Sequence, residues 1–200
     1  MDLQGKKIGF ALTGSFCTLS KVMTELENLK NEGAEIFPIM SETVWSTSTR
    51  FGTNEDFINK VHSICQKDII HNIQGAEPIG PKAFLDALIV APCTGNTISK
   101  IANGITDSSV TMASKANLRN RRPLIIAVSS NDALGANAKN IGTLLNAQNV
   151  YFVPFSQDDP SGKPDSLVAD MTKICQTLRC ALAGEQLQPV IDVKNASSSK

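Results

Sequence analysis

A chain of 200 residues with 42% hydrophobic and 19% charged side chains has the make-up of one ordinary globular domain, long enough to bury a core without disulfides or metals. Its 19 basic residues cancel its 19 acidic ones, which excludes the basic excess that a nucleic-acid or membrane surface would demand of its main partner. The five cysteines (Cys17, Cys65, Cys93, Cys175 and Cys180) lack zinc-like spacing and read as reduced thiols, and neither a signal peptide nor an apolar run of about 18 residues is visible, so a cytoplasmic chain is expected.

Apolar runs alternate with helical periods along the whole sequence. Lys6–Leu12 reads as a buried strand feeding a tight turn at Thr13-Gly14-Ser15. Leu19, Val22, Met23, Leu26 and Leu29 share one helical face, and Gly33 supplies its C-terminal cap. Ala34–Met40 completes a βαβ unit with a right-handed crossover. The polar stretch ETVWSTSTRFGTNED that follows reads as a long functional loop. Asn54–Gln66 is helical, whereas 68–81 carries no clear pattern.

Asp86–Ala91 is a buried strand stopped by Pro92, followed by helices over Asn96–Gly104 and about Ser109–Asn120, with Asp107 as the cap of the second. Pro123–Ser129 is a further strand, Gly135–Gln148 a helix, and Asn149–Phe155 the last strand. After the loop SQDDPSGKPDS, the positions Leu167, Val168, Met171, Ile174, Cys175, Leu178 and Leu182 predict a final helix. The tail from about 193 to 200 reads as disordered. The whole, 1–200, is read as a single α/β domain: a three-layer, doubly wound parallel sheet of the flavodoxin/Rossmann-like class.

In such folds ligands bind beyond the carboxyl ends of the strands. The loops there, Thr13–Thr18, Ser41–Asn54, Pro92–Thr97 and Ser129–Asp132, are rich in small hydroxyl and amide residues: Thr13, Ser15, Ser41, Thr94, Asn96, Thr97, Ser129, Ser130 and Asn131, with Gly14 and Gly95 beside them. Each could be a mere helix cap. Four such loops on one sheet edge favour a phosphate or nucleotide site, because hydroxyls and helix-start amides converge on an anion. Neither GxGxxG nor a P-loop is present, which disfavours a standard dinucleotide enzyme or an NTPase.

The segment APCTGNTISKIANGITD (Ala91–Asp107) resembles the PxSANTxxKxAxGxxD signature of the homo-oligomeric flavin-containing cysteine decarboxylases, a flavoprotein family that includes flavin prenyltransferases. GFALTGS (Gly9–Ser15) and MSE (Met40–Glu42) stand where that family has its first turn and the serine after its second strand. The resemblance implies FMN binding, with Gly14, Ser15 and Ser41 near the phosphate or ribityl chain and Asn96 and Thr97 near the flavin; phosphate or another anion is the alternative occupant. One subgroup is similar along nearly the whole chain, through STSTRFG, SSNDALG and VPFSQDDPSGKPDS: the small flavoprotein-like subunits of dipicolinate synthase. This implies a sporulation protein of the mother cell. It also implies a larger dehydrogenase-like partner subunit carrying NAD(P), a small dicarboxylate substrate, a homo-oligomer, and oxidation of a dihydrodipicolinate-type intermediate to pyridine-2,6-dicarboxylate.

The sequence departs from the family in three places. The stretch AEPIGPKAFLD lacks the family's catalytic histidine, and His62 and His71 lie in other segments, where they read as surface or capping residues. Thr94-Gly95 replaces Ser-Ala, and SSND (Ser129–Asp132) replaces a PAMN-like segment. Arg50 is either a clamp for a substrate carboxylate or an exposed loop arginine. Lys100 faces either ligand or solvent. Cys93 and Cys17 read as inert buried thiols, and Trp45 either shields a flavin ring or packs on the rim. No general base is evident. Besides the synthase-subunit reading stand two others: a stand-alone FMN-dependent decarboxylase or prenyltransferase relative, and a non-catalytic phosphate-binding scaffold.

Overall fold

The computed structural model describes residues 2–192. The first strand, β1 (Lys7–Leu12), is buried along almost its whole length, as expected of a strand covered on both faces. It leads into α1 (Phe16–Asn31), whose apolar face, Leu19, Val22, Met23, Leu26 and Leu29, is fully buried. Each such leucine stabilises the fold by roughly 1.5–3 kcal/mol. Gly33, at φ 85°, takes the left-handed conformation that closes the helix and turns the chain into β2 (Glu35–Met40).

The polar stretch after β2 is not all loop. It begins with a short helix, α2 (Glu42–Ser46), capped by the Ser41 side chain, and continues into α3 (Asn54–Cys65), opened by a capping box between Thr53 and Asp56. Two one-turn helices, α4 (Ile73–Ala76) and α5 (Ile79–Lys82), fill the stretch that carried no sequence pattern. Then come β3 (Ala87–Cys93), α6 (Gly95–Ala102), α7 (Ser109–Arg119), β4 (Leu124–Ser130), α8 (Ala138–Leu145) and β5 (Val150–Phe152).

The parallel strands run in the order β2-β1-β3-β4-β5, the flavodoxin-like arrangement. On the sheet, α1 packs with α9 (Ile174–Leu182), while α7 packs against β2, β3 and β4 with α4, α5 and α6 around it. The α/β, flavodoxin/Rossmann-like class is thus realised.

Three local expectations are corrected. Pro92 does not stop its strand, because β3 runs on to Cys93 with a register shift between Val90 and Cys93. Nor is Asn149–Phe155 the last strand. β6 (Phe155–Ser156) and β7 (Leu167–Ala169) follow, antiparallel to each other, and β7 pairs with the end of β4 through Ser129↔Val168 and Ser130↔Leu167. The sheet is therefore mixed rather than wholly parallel. Leu167 and Val168 belong to β7, and the helical run begins only at the 3-10 turn Met171–Lys173. Their spacing from Met171 fits a helix, yet the edge of β4 offers them a ladder instead. The expected disordered tail, about 193–200, lies outside the described residues.

Candidate functional site

At the carboxyl edge of the sheet, the turns after β1, β3 and β4 and the segments around β6 and β7 enclose a cleft of about 1700 Å³. Pockets for small ligands and cofactors commonly span roughly 300–1,000 Å³, so a nucleotide-sized molecule has room here.

One wall is a cluster of hydroxyls. Ser15 Oγ lies 2.8 Å from Ser129 Oγ and 3.1 Å from Thr18 Oγ1, and Thr18 Oγ1 lies 3.2 Å from Ser129 Oγ. Ser15 sits at the N-cap position of α1 without capping it through its side chain. The Thr18 N–H donates to the Ser15 carbonyl at 3.0 Å, while the Phe16 and Cys17 amides, in residues that line the cleft, have no side-chain acceptor. Hydroxyl donors, backbone N–H groups and the positive end of a helix dipole converge at that point.

A second wall is the start of α6. Thr94 caps it, its Oγ1 accepting from the Thr97 N–H at 3.4 Å. Thr94, Gly95 and Asn96 line the cleft, and Asn96 is exposed. At the mouth, Thr49 and Gly52 exchange backbone hydrogen bonds of 3.0 and 3.2 Å, making Arg50 and Phe51 the tip of a two-residue turn. Arg50 lies over the Phe51 ring at 4.9 Å. The base of this loop is tied by Asn54, which accepts from Ser48 Oγ at 2.8 Å and donates to the Trp45 carbonyl at 3.0 Å.

The far side is acidic. Asp132, Asp158, Asp165, Asp170 and Asp192 line it with Lys163. Among the described residues, no group of three or more His, Cys, Asp or Glu is arranged to hold a metal ion.

Of the expected site residues, the structure brings Gly14, Ser15, Thr94, Gly95, Asn96, Ser129 and Arg50 to one cleft. It does not bring the other four there. Thr13 is buried: its Oγ1 donates to the Pro92 carbonyl at 2.6 Å and accepts from the Thr94 N–H at 3.0 Å, stapling β1 to β3. Ser41 is a cap for α2, accepting from the Val44 N–H. Thr97 turns its hydroxyl back to Thr94 at 3.1 Å. Lys100 is paired with Asp107 at 2.8 and 2.9 Å. Asp107 therefore anchors a lysine, and Ser108, one residue on, caps α7 instead.

Trp45 stacks on His71 with ring centroids 3.9 Å apart, away from the cleft lining. Cys93 is a fully buried thiol whose pKa burial drives upward, so it is inert as expected. Cys17 is not buried: it is exposed in the second position of α1 and lines the cleft.

Thr18, Phe51 and Asp132 also line the cleft; they fall in the loops that the sheet edge singles out, but the sequence does not single them out individually. Thr18 follows Ser15 at i+3 and could have been found from helical spacing. Phe51 and Asp132 stand inside the segments STSTRFG and SSNDALG, but nothing in those segments tells which way they point.

Residues 1–181 match the family model described as Flavoprotein. The chain belongs to the Flavoprotein family. Within it, the chain is 48% identical over 190 residues to the B subunit of dipicolinate synthase from Bacillus subtilis (strain 168), covering 95% of each. It superposes on the crystal structure of the corresponding dipicolinate synthase subunit from Bacillus halodurans C with a TM-score of 0.89 at 46% identity, over 97% of this chain and all of that one. The FMN-dependent cysteine decarboxylase SpaF shares the fold, with a TM-score of 0.62 at 17% identity over 92% and 98% of the two chains. The resemblance read from Ala91–Asp107 is thereby realised at the level of the chain.

Proposed function

We propose that this chain is the flavoprotein-like small subunit of a cytoplasmic dipicolinate synthase, folded as one domain, and that its cleft holds FMN. The observation that carries the reading is the hydroxyl triangle of Ser15, Thr18 and Ser129 at the start of α1. It joins two strand ends 114 residues apart in sequence and leaves helix-start amides free of side-chain caps. The relatives' names point the same way.

The residues present fit the cofactor. Ser15, Thr18 and Ser129 would hold its phosphate with the α1 amides, Gly14 lies beside them in the same turn, Thr94 and Asn96 would border the ring system, and Phe51 offers an apolar face at the mouth. When bound, FMN supplies a two-electron acceptor. Oxidising a dihydropyridine to a pyridine removes a hydride and a proton, so such an acceptor, or a nicotinamide on a larger dehydrogenase-like partner, meets the chemistry. Arg50 would clamp a substrate carboxylate at the mouth. Assembly as a homo-oligomer and expression in the sporulating mother cell complete the reading. It assigns no general base to this chain.

The stand-alone decarboxylase or prenyltransferase reading is less well supported. Of the chain's two histidines, His62 is exposed on α3 and His71 stacks on Trp45, so no imidazole borders the cleft among the described residues. The phosphate-binding scaffold reading predicts binding without a role in turnover.

The test is an FMN titration of the full chain followed by flavin fluorescence. Saturable quenching is expected, weakened in Ser15→Ala and Asn96→Ala. No binding at high micromolar FMN overturns the flavin part of the reading.

A further inference from the structure

Three residues beyond Ser129 of the hydroxyl triangle, the cleft lining holds an aspartate packed against a glycine. A Cβ placed on Gly95 would stand 2.6 Å from Asp132 Oδ1, 2.6 Å from Ser130 Oγ and 2.7 Å from Asn137 Nδ2. No side chain fits at position 95 while Asp132 keeps its place. Asp132 is held firmly: Ser130 Oγ donates to Oδ1, and Asn137 Nδ2 donates to Oδ2 at 2.9 Å. Asn137 is itself buried and fixed by Asn140, whose Nδ2 donates to Asn137 Oδ1 at 2.9 Å. A carboxylate offers about four acceptor positions, and Ser130 and Asn137 take two of them. Asp132 also lines the cleft, so its remaining acceptor capacity is open to a ligand. Gly95 and Asp132 fall in two of the three places where this sequence departs from the family pattern, and the structure packs those two against each other.

We propose that Gly95 and Asp132 form a coupled pair that selects the ligand class. The Asp132 carboxylate accepts a hydrogen bond from an N–H or O–H donor on a neutral head group, and its charge excludes a second anionic group from that end. The cleft then takes a molecule with one anionic end, seated on Ser15, Thr18 and Ser129, and a neutral donor-bearing head against Asp132. A flavin mononucleotide, with a phosphate and an imide N–H, has this make-up. A small dianion such as pyridine-2,6-dicarboxylate does not, and under the reading above it meets Arg50 at the mouth rather than Asp132. The inference rests on the flavin reading above and extends it to a residue that reads the head group.

The test titrates wild type, Asp132→Asn and Asp132→Ala separately with FMN and with pyridine-2,6-dicarboxylate. Losing a hydrogen bond to a charged group weakens FMN binding roughly tenfold in Asp132→Ala, with Asp132→Asn intermediate. Affinity for the dianion rises in both variants. These opposite signs are what a structural role would not produce. If both affinities fall together, or the dianion's does not rise while wild type binds FMN, the proposal is overturned. Asp132→Asn keeps the shape and a thermal melt near wild type, so misfolding does not imitate the effect. If wild type fails to bind FMN, the flavin reading falls and takes this one with it.

Discussion

Several side chains at the cleft are fixed by contacts that leave no slack. Gly95→Ala drives a methyl into Asp132, Ser130 and Asn137, an overpacked contact expected to cost about 1–3 kcal/mol. Thermal denaturation of that variant against wild type checks the direction. The thiols separate by burial. Cys17 is exposed, whereas burial pushes Cys65 and Cys175 each up to about 12, with the Glu32 and Glu25 carboxylates adding to the effect at Cys175. A thiol reagent at neutral pH should therefore label Cys17 quickly in the folded chain. Cys65, Cys93 and Cys175 should react only after unfolding. Mass spectrometry of timed samples reads the order, and early labelling of Cys93 would contradict the buried strand β3.

At the scale of elements, β1, α1, β2, β3 and β4 were legible because each carries an unbroken apolar run or a clean helical stripe. Leu19 to Leu29 mark α1 without help from anything distant. The short helices α4 and α5 were not legible, since four-residue turns have no period to detect. β7 was hidden for another reason. Leu167 and Val168 take their strand conformation from pairing with Ser129 and Ser130, and that partner is nearly forty residues away in sequence. Local pattern cannot express a choice made by a distant edge.

The site was legible to the same degree. Ser15, Ser129, Thr94 and Asn96 line one cleft, as expected from the rule that ligands bind at the carboxyl edge of the sheet. Thr13, Ser41, Thr97 and Lys100 carry similar chemistry, but their bonds are satisfied inside the protein. The two classes of strand should also differ in stability. Amide exchange is expected to be slowest in β1, β3 and β4 and markedly faster in β6 and β7, two short strands near the rim. Equal protection would show that the antiparallel pair belongs to the cooperative core.

Over the whole molecule, charge sets the acid limit of stability. Asp56 is held below its ordinary value of 3.8 by hydrogen bonds from Thr53, Asp107 by the Lys100 ammonium, and Glu35 below 4.5 by Lys67. A carboxyl lowered on folding contributes stability above its unfolded pKa and loses it as pH falls through the folded one. The denaturation midpoint should hold steady above pH 4.5 and decline progressively below it. The groups are exposed and the individual contributions small, so the decline is gradual. Denaturant titrations from pH 7 to pH 3 measure it, and a flat profile would show that these pairs contribute nothing to folding.

The antiparallel closure has one more consequence. The first wall of the cleft is built from residues near 15, and its lining also includes Asp170 and Asp192, so the cleft is assembled from nearly the entire described chain. During synthesis the five parallel strands are all made once β5 has emerged, but α9, which packs on the sheet beside α1, and one side of the cleft are still missing. A nascent chain halted at residue 153 would therefore hold every parallel strand but neither a fully covered sheet nor a complete cleft, and both would arrive only in the closing moments of translation.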